Sequence, residues 1–420
     1  MLQSSPRPPA MTGLVLTAGG ARGAYQAGVI KRISEIPALA GKPSPFQIIT
    51  GASAGAINGA AIAGNSASLQ DGARLLVKLW SNLQARDVFR TDSGALAQNA
   101  GRLILDFAFG GLFGAGRVQS LVDSAPLRGF LGKHFDDLLD NIGTAIDEGH
   151  LYAFGVTATG YHSGRAFTFV QGREGHPLWN KSRRMAVATR LSLDHILASA
   201  AIPIVFPPVA LHNGHSTAWF GDGALRLTTP LSPAIRLGAE RLLAIGVRCQ
   251  ESADSLLRTE LSTSEDFESD LQRPPLSQIC GTLMNAIFLD HLDADLDHLK
   301  RMNEFVAAYQ DMAAQLPERQ QLEHENLREP MRSVLPLVIS PSADIAVIAK
   351  TLAHRMPRSV RYLLDGLGSP DAQSADLLSF LLFDSAFTRE LIQLGYRDAA
   401  QRIDEIEHFL VSAAATRQTS

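Results

Sequence analysis

A serine held between two glycines, where a strand must give way to a helix, constrains this chain more than any other feature. The stretch from Phe46 to Gly64, FQIITGASAGAINGAAIAG, opens with a short apolar β-type run, Gln47 to Thr50, and leaves as a small-residue helical pattern. Between them lies Gly51-Ala52-Ser53-Ala54-Gly55, a G-x-S-x-G sequence. A nucleophile elbow forces strained backbone dihedrals and drives the outgoing helix against the neighbouring strand, so side chains at Gly51 and Gly55 would clash. A serine at a helix start also aims the next amide, that of Ala54, at the place where a tetrahedral oxyanion would form, and the helix dipole favours negative charge there. Ser53 therefore reads as a nucleophile. In a chain with 35 glycines the five-residue pattern also arises by chance, and it is the strand-to-helix setting that selects the functional reading.

An earlier segment has the same form. Leu14 to Thr17 is a compact strand signal, followed at once by Ala18-Gly19-Gly20-Ala21-Arg22-Gly23 and then the helical pattern AYQAGVIKRISEI. Such a turn presents backbone N–H groups at a positive helix end and is suited to an anion. As a dinucleotide phosphate loop it lacks G-x-G-x-x-G in register, and the next strand has no acidic residue for a ribose. The other reading joins it to Ser53: adjacent parallel strands put both turns at one sheet edge, and the anion is then an ester oxyanion held by the Gly19, Gly20 and Ala54 amides.

Further along, Leu69 to Leu83 predicts an amphipathic helix, and residues 95–116 mix apolar side chains with glycines as either a cover over the core or a flap that meets lipid. Ser120 to Phe135 predicts a helix, and Val156 to Val170 a hairpin turning at Ser163-Gly164. Leu193 to Val209 reads as a helix broken by Pro203 and by Pro207-Pro208, with Ile204, Val205 and Phe206 as wall residues. Asp222 stands between Gly221 and Gly223 after a short apolar run; alone, this reads first as a plain Asp-Gly turn and second as a carboxylate entering a crowded site. Residues 230–247 predict a helix and then a buried strand, continuing an α/β alternation. From Leu276 the pattern is mainly helical, with a strand candidate at Val334 to Ile339. Asp293, Asp295, Asp297 and Glu304 imitate calcium-loop spacing, but His298 occupies the turn-glycine place and the helical period runs straight through, so a metal site is not expected.

Three of these segments together resemble the patatin-like phospholipases, which share a G-G-G-x-[KR]-G loop, a G-x-S-x-G elbow and a later D-G-[AG] motif. The elbow matches fully at Gly51 to Gly55 and the last motif at Asp222-Gly223-Ala224. In the first, Ala18 stands where the family usually carries glycine, with Gly19, Gly20, Arg22 and Gly23 in place. The resemblance covers Thr12 to Arg248. It implies an α/β three-layer sandwich with a mainly parallel central sheet, and it turns Asp222 from a turn residue into a catalytic carboxylate. It also implies that the stretch ahead of Asp222, with Ile204, Val205 and Phe206, lines an acyl groove. The expected organisation is a flexible tail over 1–11, a catalytic domain over 12–248, a linker over 249–275 and a mainly helical region over 276–420.

The expected chemistry is a Ser53/Asp222 dyad in which Asp222 accepts the serine proton, with Arg22, Gly23, Gly51, Gly55 and Gly223 as supporting motif residues. A histidine triad is second choice: none of the 12 histidines has a setting comparable with Asp222, His212 and His215 read as loop residues, and this elbow follows only about two strands. The resemblance implies a carboxylic ester hydrolase acting on phospholipids, lysophospholipids or glycerides, without cofactor or metal. An acyltransferase and a catalytically silent lipid-binding regulator on the same scaffold are the alternatives.

Composition agrees with a large buried core: 420 residues, 45% hydrophobic and 19% charged. A formal charge of −4 and the lack of a Lys/Arg run argue against a nucleic-acid partner. Cys249 and Cys280 are far apart and suggest a reducing compartment. The first dozen residues have no apolar signal core, and the uncharged stretch Pro43 to Gln70 is too broken by polar residues and glycine to span a bilayer. A cytoplasmic protein is expected, with membrane contact that is transient and peripheral.

Overall fold

Both faces of the central strands are apolar, which requires helices on either side of the sheet. The computed structural model describes residues 10–90, 120–213, 216–249, 276–289, 291–313, 332–358, 361 and 375–418. The expected tail up to residue 9, the stretch 95–116 read as cover or flap, residues 250–275 of the expected linker, and His215 lie outside the described residues.

The elements in the first half are β1 (Met11–Leu16), α1 (Ala24–Ser34), β2 (Ile48–Ala52), α2 (Ala54–Ala63), α3 (Leu69–Asn82), α4 (Ala85–Val88), α5 (Ala125–Asp147), β3 (Ala153–Gly160), β4 (Arg165–Gly172) and β5 (Arg184–Ala188). They continue with α6 (Leu193–Ser199), β6 (Val209–Asn213), β7 (Ser216–Asp222), α7 (Ser232–Arg236), β8 (Ala239–Ile245), α8 (Leu276–Phe288) and α9 (His291–Ala313). The last are β9 (Leu335–Ile339), α10 (Ile345–Thr351), α11 (Ala375–Leu381), α12 (Ser385–Gln401) and α13 (Ile403–Gln418). The strands form one sheet in the order β5-β4-β3-β2-β1-β8-β9, with β7 added to β3 and β6 to β7. From β3 across to β9 the pairing is parallel.

Alternation along the strands separates two cores. Leu14, Leu16, Ile49, Leu243 and Ile245 face one cluster, under α1, α2, α3, α5 and α12, while Val15, Ile48, Leu242 and Ala244 face the other, with Leu292, Leu296 and Leu299 of α9. This is the expected three-layer α/β arrangement. The hairpin at β3–β4 turns where the sequence indicates, with Gly164 at φ 61°. The segment 291–313 is continuous helix, and Asp295 within it accepts a hydrogen bond from the Leu231 amide at 2.8 Å. The helix expected from Ser120 begins only at Ala125, with Pro126 in its first turn.

One strand, β3, acts as a ruler along which two others are measured. β2 runs parallel to β3 and stops with Ala52 opposite Thr157. β7 comes from the other direction along the same edge and stops with Asp222 opposite Ala158. The ends of two opposed strands thus meet one residue apart on a shared neighbour.

The region after 275 is mainly helical, and it also belongs to the sheet and its cover. β9 pairs with β8, as the strand candidate there anticipates. α12 lies across α1, where Phe387 is fully buried and the Tyr25 hydroxyl donates to Asp398 at 3.0 Å. The two helices approach through reciprocal glycines. A Cβ at Gly28 would stand 2.0 Å from the Ile392 carbonyl oxygen, and one at Gly395 would stand 2.2 Å from that of Tyr25. Backbone cannot yield as a side chain can, so the crossing must open. Gly28→Ala and Gly395→Ala should each lower stability by about 1–3 kcal/mol in urea unfolding, with the double variant less than additive because one opening relieves both.

Candidate active site

Ser53 sits where β2 ends and caps the start of α2, with φ 56° and ψ −127°. A non-glycine residue at positive φ is uncommon, and holding it there costs about 1–3 kcal/mol. Surrounding contacts enforce it. The Ser53 amide donates to the Ser199 hydroxyl at 3.0 Å, and that hydroxyl donates to the Thr157 carbonyl at 2.6 Å, tying the bend to β3. A Cβ at Gly55 would fall 2.1 Å from the Leu16 carbonyl oxygen, so only glycine lets α2 leave against the end of β1.

The Ser53 hydroxyl donates to Asp222 Oδ2 at 2.5 Å, at the short end of the range for a hydroxyl bound to a carboxylate. Both residues are buried, Asp222 completely. The other carboxylate oxygen, Oδ1, accepts from the Ala224 amide at 2.9 Å. The backbone of Asp222 is fixed as well, its amide donating to the Ala201 carbonyl and its carbonyl accepting from the Thr159 hydroxyl, both at 2.8 Å. Burial pushes the Asp222 carboxyl up to about 7, against the opposing pull of the bonds from Ser53 and Ala224. Such a carboxyl changes protonation near neutral pH and is able to exchange a proton with a serine hydroxyl.

The glycine turn lies beside this pair. Gly20 has φ 56°, and a Cβ there would meet the Phe380 carbonyl oxygen at 2.4 Å. Ala18 needs no such freedom: among the described residues the only non-glycine positive φ values are at Ser53 and Ile204. Buried amides hold the turn at both ends. Trp80 Nε1 donates to Asn58 Oδ1 at 2.8 Å, and Asn58 Nδ2 donates to Gln26 Oε1 at 2.8 Å and to the Gly23 carbonyl at 3.0 Å. Gln26 Nε2 in turn donates to the Thr17 carbonyl at 2.9 Å. The amides of Gly19, Gly20 and Ala54 donate to none of the described residues. Gly20 and Ala54 line the same cavity as Ser53, and unbonded N–H groups are the kind of donor that a developing oxyanion needs.

Arg22 is buried at a place where an unpaired guanidinium would be costly. Helix α11 meets it: Arg22 Nε donates to the Ser379 hydroxyl at 2.7 Å, a second nitrogen pairs with Asp376 at 3.0 Å, and the guanidinium lies 4.6 Å from the centre of the Phe380 ring. Gly23 and Gly223 are sites of close approach, to Ala54 and to the Thr157 carbonyl respectively, and Gly51 packs on Gly55.

Gly20, Ser53 and Ala54 line a narrow apolar cavity, whose remaining walls are Ile57, Leu79, Trp80, Leu83, Val88, Leu127, Phe130, Leu131, Ala200, Ile202, Phe206 and Phe383. Phe206 lines it, as the sequence implied. Ile204 does not: its positive φ turns the side chain outward, and it is 67% exposed. His212 is also a correction, lying in β6 rather than a loop, exposed and bonded to Thr217. Sequence reasoning missed Ser199, Gln26, Asn58 and Trp80. Their roles are set by contacts across the fold and leave no local pattern; a buried Asn four residues into an otherwise apolar helix was the one visible sign.

A family model described as patatin-like phospholipase matches residues 14–235, more than half of the chain. No curated protein matches. Among solved structures, the chain is similar to VipD from Legionella pneumophila at 13% identity and TM-score 0.32, over 94% of this chain and 67% of that one. It is also similar to human GIVD cytosolic phospholipase A2 at 11% identity and TM-score 0.45, over 99% of this chain and 64% of the human one. The chain thus spans less than two thirds of the human protein.

The raised Asp222 carboxyl has a consequence for folding. In the unfolded chain it titrates near 3.8, so between about pH 4 and 7 the folded state holds the extra proton and stability falls as pH rises through that window. Asp222→Asn removes this penalty. The variant should gain on wild type by up to about 4 kcal/mol between pH 4 and pH 8, as read from urea midpoints; parallel pH curves would contradict the assigned burial.

Proposed function

The chain belongs to the patatin-like phospholipase family, and from that premise we propose that it is a serine lipid acyl hydrolase in which Ser53 is the nucleophile and Asp222 its base. The observation that carries this reading is the 2.5 Å bond between a fully buried carboxylate and the hydroxyl of Ser53, a residue that lines an apolar cavity. The cavity suits a fatty-acyl chain, since its lining is apolar apart from Ser53 and backbone groups.

In the proposed reaction ionised Asp222 takes the Ser53 proton as the oxygen attacks the ester carbonyl. The carbonyl oxygen becomes an oxyanion facing the Gly19, Gly20 and Ala54 amides, each worth about 3 kcal/mol by the measure of other oxyanion donors. Collapse breaks the ester C–O bond, and Asp222 returns the proton to the departing alcohol. Water then loses a proton to Asp222 as it attacks the acyl-serine carbonyl, the bond from that carbon to Ser53 Oγ breaks, and Asp222 returns the proton to Ser53 as the fatty acid departs. Because the side-chain partners of Asp222 are a hydroxyl and a backbone amide rather than a cation, its basicity comes from desolvation, and activity should rise with pH through about 7. Phospholipids, lysophospholipids and glycerides all present the required ester.

Ser53→Ala and Asp222→Asn should each lower hydrolysis of a fatty-acyl p-nitrophenyl ester at least about a thousandfold, with the fold retained by circular dichroism. The double variant should fall no further than either single one, because the two groups act as a unit. Undiminished turnover in Asp222→Asn, with loss on replacing a histidine, would overturn the dyad. Transfer of the acyl group to added glycerol in preference to water would point instead to the acyltransferase.

A further inference from the structure

We propose that the face formed by Tyr161, Ile204 and Trp219 is where this protein rests on a lipid surface, an inference that takes the hydrolase reading as its premise. These three side chains come from separate elements: the β3–β4 turn, the segment after α6 and β7. They are 41%, 67% and 39% exposed. With His162, Phe206 and Pro208 they line an open, shallow groove. The Tyr161 amide donates to the Trp219 carbonyl at 3.0 Å, so the two aromatic residues are held in register across the hairpin ends.

Ile204 is the most informative member. A β-branched residue at φ 70° is a conformational outlier, and here the strained backbone delivers an apolar side chain to solvent. The turn is built to stay that way: the Leu121 amide donates to the Ile204 carbonyl at 2.8 Å, and the Val122 amide to the Val205 carbonyl at 3.1 Å. Strain that exposes isoleucine has no return within the fold; against acyl chains it does. Tryptophan and tyrosine are the side chains suited to the boundary between acyl chains and water.

The groove shares one residue with the cavity of the candidate site. Phe206, nearly buried, lines both this groove and the acyl cavity that contains Ser53. A lipid resting on the groove would be separated from that cavity by Phe206. None of the six lining residues is a carboxylate, lysine or arginine. The occupant is therefore an uncharged or zwitterionic surface, and binding should not depend on anionic lipid or on ionic strength.

The test uses the full chain with Ser53→Ala, so that binding is read without hydrolysis, and phosphatidylcholine vesicles as the probe. Flotation should show partitioning that Ile204→Asn and Trp219→Ala each weaken and that the pair weakens about tenfold or more. Asparagine accepts positive φ better than isoleucine, so Ile204→Asn should melt no lower than the parent. In the chain that retains Ser53, Ile204→Asn should leave hydrolysis of monomeric p-nitrophenyl butyrate unchanged while slowing hydrolysis of vesicle lipid. Unchanged partitioning in the double variant would overturn the proposal, as would binding lost in about 0.5 M salt. A lipid-free dimer that the same substitutions break would overturn it too, in favour of a second copy as occupant. If vesicles bind as expected but the butyrate ester is not cleaved by the unsubstituted chain, the hydrolase reading falls and the lipid face stands.

Discussion

Two strands running in opposite directions end one residue apart along β3, and that meeting is what the rest of the site depends on. Ala52 stands opposite Thr157 and Asp222 opposite Ala158. The residue after Ala52 is therefore delivered beside the carboxylate, although 169 positions separate them in sequence. Neither strand would place its residue without the other being held to the same ruler. The shared neighbour also anchors the surroundings, since Ser199 bonds to the Thr157 carbonyl while receiving the Ser53 amide, and Thr159 bonds to the Asp222 carbonyl.

This geometry is held against opposing free energies. Ser53 occupies a dihedral region that costs about 1–3 kcal/mol, and Asp222 is fully buried with no cation in contact among the described residues. Both can persist because the elements around them have no freedom to relax. Gly55 lets α2 lie against the end of β1, and the hydrogen bonds from the Trp80 indole through the Asn58 and Gln26 side-chain amides to the Gly23 and Thr17 carbonyls fix the glycine turn to the same helix. Helix α11 contributes from outside the matched family region. Its Ser379, Asp376 and Phe380 surround Arg22, and its backbone fills the space beside Gly20. The helical region after 275 is thus part of the support of the proposed oxyanion turn.

How far all this could be read from the sequence depended on range. The strand–turn–helix at Gly51 to Gly55, the turn at Gly19-Gly20 and the hairpin at Ser163-Gly164 are written in consecutive residues, where period and glycine placement are visible. Asp222 needed its order in the chain relative to the other two motifs, because an Asp-Gly pair alone also makes a turn. Strands β5 and β6 were not legible: each is five residues long, β5 at the sheet edge and β6 joined to the rest only through β7. Ile204 misled for another reason. An apolar residue in an apolar run suggests a wall of the cavity, and only the sign of its φ, which composition does not carry, turns it outward. The crossing of α1 and α12 was hidden in the same way, since Gly28 and Gly395 have meaning only as a pair.

The central claim is that the buried Asp222 carboxylate activates Ser53, and the rate of covalent capture of Ser53 by a fluorophosphonate measures this without reference to substrate. Followed by peptide mass spectrometry against pH, labelling of the intact chain should fall on Ser53 and rise through about pH 7 as Asp222 ionises. In Asp222→Asn it should be slow and independent of pH across the same range. Capture of Ser53 at the full rate in Asp222→Asn, or label residing on another residue, would contradict the account.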